Sequence, residues 1–163
     1  TSPYGLQKYI GEQYCRVFSH LYKLPTVCLR YFNVYGPRMV TGGAYASVIG
    51  IFGQQRQNNQ PMTITGDGTH LRTYTFVGDI VRANILAVES EIADGRAINT
   101  GQSTEYTVNE IAQMIGGPTT NISPRIEPVR NLCGNSLAKK LLNWEPTVDL
   151  PQWLPIYKKE MGI

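Results

Sequence analysis

Apolar residues recur at helical spacing near the start of the chain. The following residues stand at i, i+4, i+7 and i+11 and give one apolar stripe: Ile10, Tyr14, Val17 and Leu21. The spacing predicts a helix over residues 3–22, which Pro25 ends because proline cannot continue the hydrogen-bonded ladder. The next run, residues 26–32, is rich in β-formers without polar alternation and predicts a strand covered on both faces.

Helical and strand-like patterns alternate along the rest of the chain. Helices are predicted over residues 45–57, 79–90, 108–115, 136–142 and 152–161. Strands are predicted over residues 61–65, 73–77 and 96–100, and residues 116–135 are loop-rich. Thr107 is a predicted N-cap, with Glu110 at the matching capping-box position. We therefore predict an α/β fold in a single compact piece, without an internal repeat or an interdomain linker.

Composition narrows the class of partner. At 163 residues, with 42% hydrophobic and 17% charged residues, the chain is long enough to bury one core. The net charge of +3 is mild and no Lys/Arg run is interleaved with aromatic residues, which argues against nucleic acid as a partner. A few excess arginines suit a phosphate-bearing small ligand. No apolar run is long enough to span a bilayer, so we expect no membrane partner.

The cysteines do not suggest a disulfide framework or a metal site. Cys15, Cys28 and Cys133 are odd in number and lie in helix-like, strand-like and loop-like contexts. We expect reduced thiols in a cytoplasmic protein. With only His20 and His70 beside them, no zinc-type spacing appears, and we expect no metal.

A tyrosine and a lysine stand one helical turn apart near residue 1. Tyr4 and Lys8 share a face of the predicted helix because residues at i and i+4 are neighbours. An ammonium close to a phenol stabilises the phenolate, which makes Tyr4 a candidate proton-transfer group. A second fixed positive charge, such as an oxidised nicotinamide ring, would complete the electrostatics. The alternative is a tyrosine stacked on a lysine stem, without catalytic meaning.

Four motifs in a fixed order give this pair its context. The first is Pro-Tyr-Gly-x-x-Lys-x-x-x-Glu at residues 3–12, and the second is Arg-Tyr-Phe-Asn-Val-Tyr-Gly-Pro-Arg at residues 30–38. The third joins a Gly-Asp-Gly turn to Arg-x-Tyr-x-Phe-Val-x-Asp at residues 66–79, and the fourth is Asn-Trp-Glu-Pro at residues 143–146. In this order they resemble the extended short-chain dehydrogenase/reductases that epimerise or dehydrate nucleotide sugars. The resemblance covers the chain from Ser2 to about Leu154.

The resemblance implies an NAD(P)-binding, Rossmann-like fold without its N-terminal, Gly-rich half. Family members open with a strand and a Gly-x-x-Gly-x-x-Gly turn that holds the cofactor pyrophosphate at a helix N-terminus. The only Gly-x-Gly here, residues 66–68, lacks the third glycine and precedes a strand-like run, so we interpret it as a turn. Because the chain also begins at Thr1 rather than Met, we expect it to be the C-terminal half of such an enzyme.

The same resemblance predicts how the chain divides. Residues 1–40 would end the Rossmann part, and residues 41–163 would mostly form a small α/β substrate-binding region. Residues 78–100 would add a helix and a strand to the Rossmann part.

The resemblance also implies roles for residues of the cofactor site. Tyr4 would act as general acid or base, and Lys8 would hold the nicotinamide ribose of NAD. Phe32 and Val34 would lie along the nicotinamide. Asn33 would hydrogen-bond the diphosphate of a nucleoside-diphosphate sugar, unless it is only an asparagine that caps a strand.

Arginines are implied to bind the substrate diphosphate. Arg72 and Arg130 would clamp it, a task that suits a permanently charged, bidentate fork, although ordinary surface arginines are the alternative. A surface salt bridge explains Arg38 as well as a phosphate ligand does. Three consecutive residues match the strand that passes the nucleotide base, and core packing explains them almost equally well: Met62, Thr63 and Ile64.

Two positions depart from the family pattern. Thr73 stands where the family usually has aspartate, and Gly78 stands where an acidic or polar residue often precedes Asp79. Both changes should weaken structural hydrogen bonding more than chemistry. Asp79 itself begins a predicted helix and is interpreted as its cap.

The implied function is the substrate-binding half of an NAD-dependent nucleotide-sugar epimerase or dehydratase, inactive alone and without tightly bound NAD. A UDP-glucose 4-epimerase-like activity is favoured over a dehydratase, while the sugar and the branch among epimerisation, dehydration and decarboxylation stay open. Two alternatives also stay open: a non-catalytic sugar-nucleotide-binding or oligomerisation module, and one chain of a split enzyme. Because the first helix and strand lack their usual cover, we expect exposed apolar surface and a homo-oligomer.

Overall fold

The computed structural model describes residues 2–43, 46–125 and 130–163. Within them the helices are α1 Pro3–Tyr22, α2 Val48–Gln57, α3 Val77–Glu89, α4 Val108–Ile115, α5 Ser136–Leu142 and α6 Leu150–Met161. The strands are β1 Cys28–Tyr31, β2 Val34–Tyr35, β3 Met62–Thr65, β4 Leu71–Thr73, β5 Thr75–Phe76, β6 Ala97–Thr100, β7 Glu105–Thr107, β8 Thr119–Ile122 and β9 Arg130–Asn131.

Local capping chemistry sets the ends of the helices. The Ser2 hydroxyl accepts a hydrogen bond from the Gly5 N–H (3.1 Å) and begins α1, so the predicted helix is confirmed. The predicted capping box of α4 is also confirmed, because Glu110 N–H donates to the Thr107 hydroxyl and the Glu110 carboxylate accepts from Thr107 N–H. A second capping box, between Asp149 and Gln152, starts α6 two residues earlier than predicted.

The strands form small, mostly parallel pairings. Parallel pairs join β1 to β6, β2 to β5 and β3 to β8, while β4 lies between antiparallel β7 and parallel β9. The strand predicted over residues 73–77 is wrong in its bounds, since it is broken at Tyr74 and Val77 already belongs to α3. Strands β7 and β8 were not predicted, because their Glu-Tyr-Thr and Thr-Thr-Asn-Ile sequences carry no apolar signal.

Strand β1 is less covered than its sequence predicts. The prediction of a strand buried on both faces is wrong for this chain, since β1 runs from half-buried to exposed and pairs with β6 alone among the described strands. The expected exposed apolar surface is confirmed, and it is concentrated on α1, with a smaller share on α3.

Two apolar clusters hold the fold. The larger one lies between α2, β3, α4 and α6, where Trp153 packs between Tyr35 and Tyr157 with ring centroids 5.1 and 4.9 Å away. The smaller one joins α3, β6 and α5 around the fully buried Trp144. No helix in the described parts of the chain is long and apolar enough to cross a membrane.

Asp79 connects the fourth motif to α3 rather than capping that helix. Phe76 occupies the N-cap position, and the buried Asp79 carboxylate accepts hydrogen bonds from Thr147 N–H (2.9 Å), the Thr147 hydroxyl (2.7 Å) and Val148 N–H (3.2 Å). Arg82 adds an ion pair at 2.6 Å. The Asp79 carbonyl also accepts from the Trp144 indole N–H (2.8 Å). The interpretation of Asp79 as a helix cap is therefore wrong.

Candidate functional site

An open cleft of about 410 Å³ lies beside β2, where α2, β3 and β4 meet. It receives side chains from several of the predicted motifs and from one loop that follows β8. The polar residues that matter for ligand binding are Asn33, Thr63, His70, Arg72 and Arg125, with Val34 among the apolar ones. None of the described residues that line the cleft is acidic.

Asn33 holds an unusual backbone conformation at the edge of this cleft. Its φ of 35° lies in the left-handed region, which asparagine tolerates better than most residues. Its side-chain amide donates to the Thr73 carbonyl (2.7 Å), and its own carbonyl accepts from Thr75 N–H (3.4 Å). The amide therefore ties the β1–β2 turn to β4, and its second N–H and its carbonyl oxygen make no hydrogen bond among the described residues.

Basic side chains converge on the cleft from two sides. Arg72 lies on β4, where its guanidinium donates to the Leu71 carbonyl (2.8 Å). Arg125 comes from the loop after β8, with Nη2 3.5 Å from the Thr65 hydroxyl of β3. His70 lies just before β4 and lines the same space. Two guanidinium groups that line one cleft favour an anionic ligand.

Of the three residues predicted beside a nucleotide base, one lines the cleft. Thr63 lines it, held by Gln55, whose amide donates to the Thr63 hydroxyl (2.8 Å) and accepts from Thr63 N–H (3.0 Å). Met62 and Ile64 point the other way and are 0% and 4% exposed in the larger apolar cluster. This is the alternation of a strand with one buried face.

Arg130 does not lie in the cleft. It is on β9, and its guanidinium makes a two-point ion pair with Glu105 of β7, at 3.1 and 2.9 Å. The sequence did not predict Arg125 in the cleft. The strand before it, β8, has no apolar pattern that would predict its parallel pairing with β3. Pro124 next to it was the one local signal of a strand end.

Tyr4 and Lys8 lie together on α1, and neither lines the cleft. The Lys8 ammonium lies 5.4 Å from the centroid of the Tyr4 ring, and Tyr4 is 59% exposed. This is the predicted helical pairing, with the cation over the ring face. Phe32 is half-buried beside Gly101, because a Cβ added to Gly101 would lie 3.0 Å from the Phe32 Cβ.

Two further motif residues bind each other. The Arg30 guanidinium donates to both carboxylate oxygens of Glu12, each at 2.6 Å, which fixes β1 to α1. The hydrogen bond from Arg30 holds the pKa of Glu12 below its ordinary value. Glu12, which ends the first motif, and Arg30, which begins the second, therefore have a structural function.

Comparison with known proteins agrees with the motif order. A model of the NAD dependent epimerase/dehydratase family matches residues 1–101. The UDP-glucose 4-epimerase of Mycolicibacterium smegmatis is 32% identical over 162 residues, which cover 93% of this chain and 50% of that protein.

Solved structures give the same result for the fold. The UDP-glucose 4-epimerase of Thermotoga maritima, solved with UDP-glucose, matches 99% of this chain and 55% of its own length, with a TM-score of 0.88 and 35% identity. The UDP-glucuronic acid 4-epimerase of Bacillus cereus, solved with UDP-glucuronic acid and NAD, matches 99% of this chain and 52% of its own length, with a TM-score of 0.84 and 31% identity. The chain thus spans about half the length of these relatives.

These matches confirm the predicted family and α/β fold, and their coverage agrees with the expected half-enzyme. The chain belongs to the NAD dependent epimerase/dehydratase family.

Proposed function

We propose that the chain is the substrate-binding half of an NAD-dependent UDP-sugar 4-epimerase and does not catalyse the reaction alone. The observation that carries this proposal is the cleft on which Asn33, Arg72 and Arg125 converge. The solved relatives with UDP-glucose and UDP-glucuronic acid support a nucleoside diphosphate sugar as the ligand.

The diphosphate would lie between the two arginines. A guanidinium offers parallel N–H donors that match two phosphate oxygens. Arg72 reaches the cleft from β4, and Arg125 reaches it from the loop after β8. The second N–H of the Asn33 amide would donate a further hydrogen bond. Thr63, fixed by Gln55, would lie beside the base.

Tyr4 and Lys8 would serve the other end of the ligand. The exposed Tyr4 phenol and the adjacent ammonium fit the nicotinamide ribose end of NAD, which the family match implies. NAD, when bound, would supply the hydride acceptor for a sugar carbon. Tyr4 Oη would take the proton of the hydroxyl on that carbon, and the positive charge of Lys8 would stabilise the phenolate before the proton is returned.

The chain alone should bind the diphosphate but not NAD. Its one Gly-x-Gly segment is a turn in which Gly68 has a φ of 72° and its carbonyl accepts from Asn109 N–H (3.1 Å), so it cannot hold a pyrophosphate as the family's glycine turn does. A cleft that lacks some of its walls has little shape complementarity to its ligand. We therefore expect a dissociation constant for UDP on the order of a millimolar, or about 4 kcal/mol.

Titration with UDP, followed by NMR, tests the diphosphate site. Resonances of Asn33, Arg72 and Arg125 should shift, and Arg72→Ala or Arg125→Ala should weaken binding several-fold. Arg38→Ala and Arg130→Ala are matched controls, because neither side chain lines the cleft. Weakening by Arg130→Ala alone would place the clamp at β9, and no shifts at 10 mM UDP, about ten times the expected constant, would contradict the site.

Calorimetry with NAD and a coupled epimerase assay test the second half of the proposal. We expect neither tight NAD binding nor turnover of UDP-glucose by the chain alone. Micromolar NAD affinity or clear turnover would overturn the proposal of an incomplete enzyme without affecting the diphosphate site.

A further inference from the structure

Two cysteines face each other where α1 lies against β1. On one side of them, Glu12 of α1 binds Arg30 of β1 through two hydrogen bonds of 2.6 Å. On the other side, the Thr26 hydroxyl, just before β1, donates to the Cys15 carbonyl (3.1 Å). Residues 26, 28 and 30 share one face of an extended segment, and residues 12 and 15 share one face of a helix. Cys28 therefore points at Cys15, between two fixed contacts.

The electrostatics agree with this contact. Burial, the hydrogen bond to Cys15 and the charge of Cys15 act in the same direction, and the pKa of the Cys28 thiol is raised to about 11. The charged groups that face Cys28 are Glu12, which also raises its pKa, and Arg30, which lowers it. Both thiols are half-buried and neither is in a disulfide.

We propose that Cys15 and Cys28 are an oxidation site that closes a disulfide between α1 and β1. The oxidant is a low-molecular-weight disulfide such as oxidised glutathione. The Cys15 thiolate attacks one of its sulfurs and releases one glutathione thiolate, and the Cys28 thiolate then attacks Cys15 in the mixed disulfide and releases the second. One S–S bond forms, the oxidant's S–S bond is reduced to two thiols, and the two cysteine protons pass to them.

The bond would fasten a helix that is mostly exposed. Among the residues of α1, Ser19 is the one that is buried, and this helix carries Tyr4 and Lys8. A cross-link that closes a loop of this length stabilises mainly by restricting the unfolded chain. We expect oxidation to raise the Tm by about 5 °C and to slow amide hydrogen exchange in α1.

Mass spectrometry after incubation with oxidised glutathione tests the proposal. Wild-type chain should lose about 2 Da without a glutathione adduct, since two thiol hydrogens leave. Trypsin should then release residues 9–16 joined to residues 24–30, a product that dithiothreitol separates. Cys133→Ser is the matched control and should form the same bond, because Cys133 is buried at another place beside Gly101.

Single variants and an unfolded control make the result decisive. Cys15→Ser or Cys28→Ser should abolish the joined peptide and leave a glutathione adduct on the remaining cysteine. The folded chain should form the bond at least ten-fold faster than the chain in 8 M urea, since the fold brings the thiols together. Equal rates, a bond to Cys133, or persistent adducts on both thiols in the wild type would overturn the proposal.

Discussion

The helix that opens the chain and the helices that close the larger core use their apolar residues in opposite ways. Helix α1 has 20 residues and buries Ser19, whereas the shorter α4 and α6 bury, respectively, three and four residues. On α1, Tyr14 and Leu21 are 61% and 63% exposed. Periodicity predicts each helix equally well, but it does not tell which stripe finds its partner inside the chain.

The buried core and the exposed α1 stripe have different roles, stability for the first and recognition for the second. The core around Trp153 is completed by segments of this chain, so its side chains hold the fold. The α1 stripe contributes little to folding and presents the surface through which we predict self-association. The motif residues follow the same division, since Tyr4 and Lys8 lie exposed on α1 while Asp79 and Trp144 are buried.

Truncating one aromatic residue in each region should give the largest contrast. Trp153→Ala should lower the free energy of unfolding by about 3–5 kcal/mol, because a buried ring between Tyr35 and Tyr157 leaves a cavity. Tyr14→Ala should change it by less than about 0.5 kcal/mol, since the ring is mostly exposed. Urea unfolding followed by circular dichroism measures both, and similar losses would break the comparison.

Two aspartates with arginine partners should sharpen the comparison between buried and exposed regions. Asp79→Ala should cost about 2–4 kcal/mol, because it leaves the Thr147 and Val148 donors without their acceptor and removes the ion pair of Arg82. Asp94→Ala is the matched control and should cost less than about 0.5 kcal/mol, since the Asp94–Arg96 pair is exposed. Equal losses in urea unfolding would contradict this assignment of Asp79.

The effect of Asp79 should also depend on pH. Burial alone would raise the pKa of Asp79, but hydrogen bonds from Thr147, Arg82 and Val148 outweigh it and hold the pKa below its ordinary value. A lowered pKa in the folded state stabilises the fold above the unfolded pKa of about 3.9, and this contribution is lost as the pH falls through the folded value. The stability gap to Asp79→Asn should therefore be full at about pH 6 and shrink below about pH 4.

The sequence predicted the elements that depend on local spacing and capping. The helix over residues 3–22, the Thr107 capping box and the helix over residues 136–142 follow from spacing and caps, and all are confirmed. The cleft was predicted in part: Asn33, Thr63 and Arg72 line it, and Arg125 does so where Arg130 was expected. Arg125 lies in the cleft because β8 pairs with β3. Tertiary contacts set this pairing, and the periodicity of the sequence does not predict it.

The smallest effect concerns the departure from the family pattern at Thr73. Its buried hydroxyl has no hydrogen-bond partner among the described residues, whereas the equally buried Thr100 hydroxyl donates to the Arg30 carbonyl (3.2 Å). Replacing an unpaired hydroxyl by a methyl group of similar size removes a desolvation penalty, so Thr73→Val should be neutral or raise the unfolding free energy by up to about 1 kcal/mol. Thr100→Val should lower it by about 1 kcal/mol, because the bond to the strand β1 carbonyl is lost. Urea unfolding of both variants checks the pair, and a loss at Thr73→Val as large as at Thr100→Val would mean that the Thr73 hydroxyl is paired.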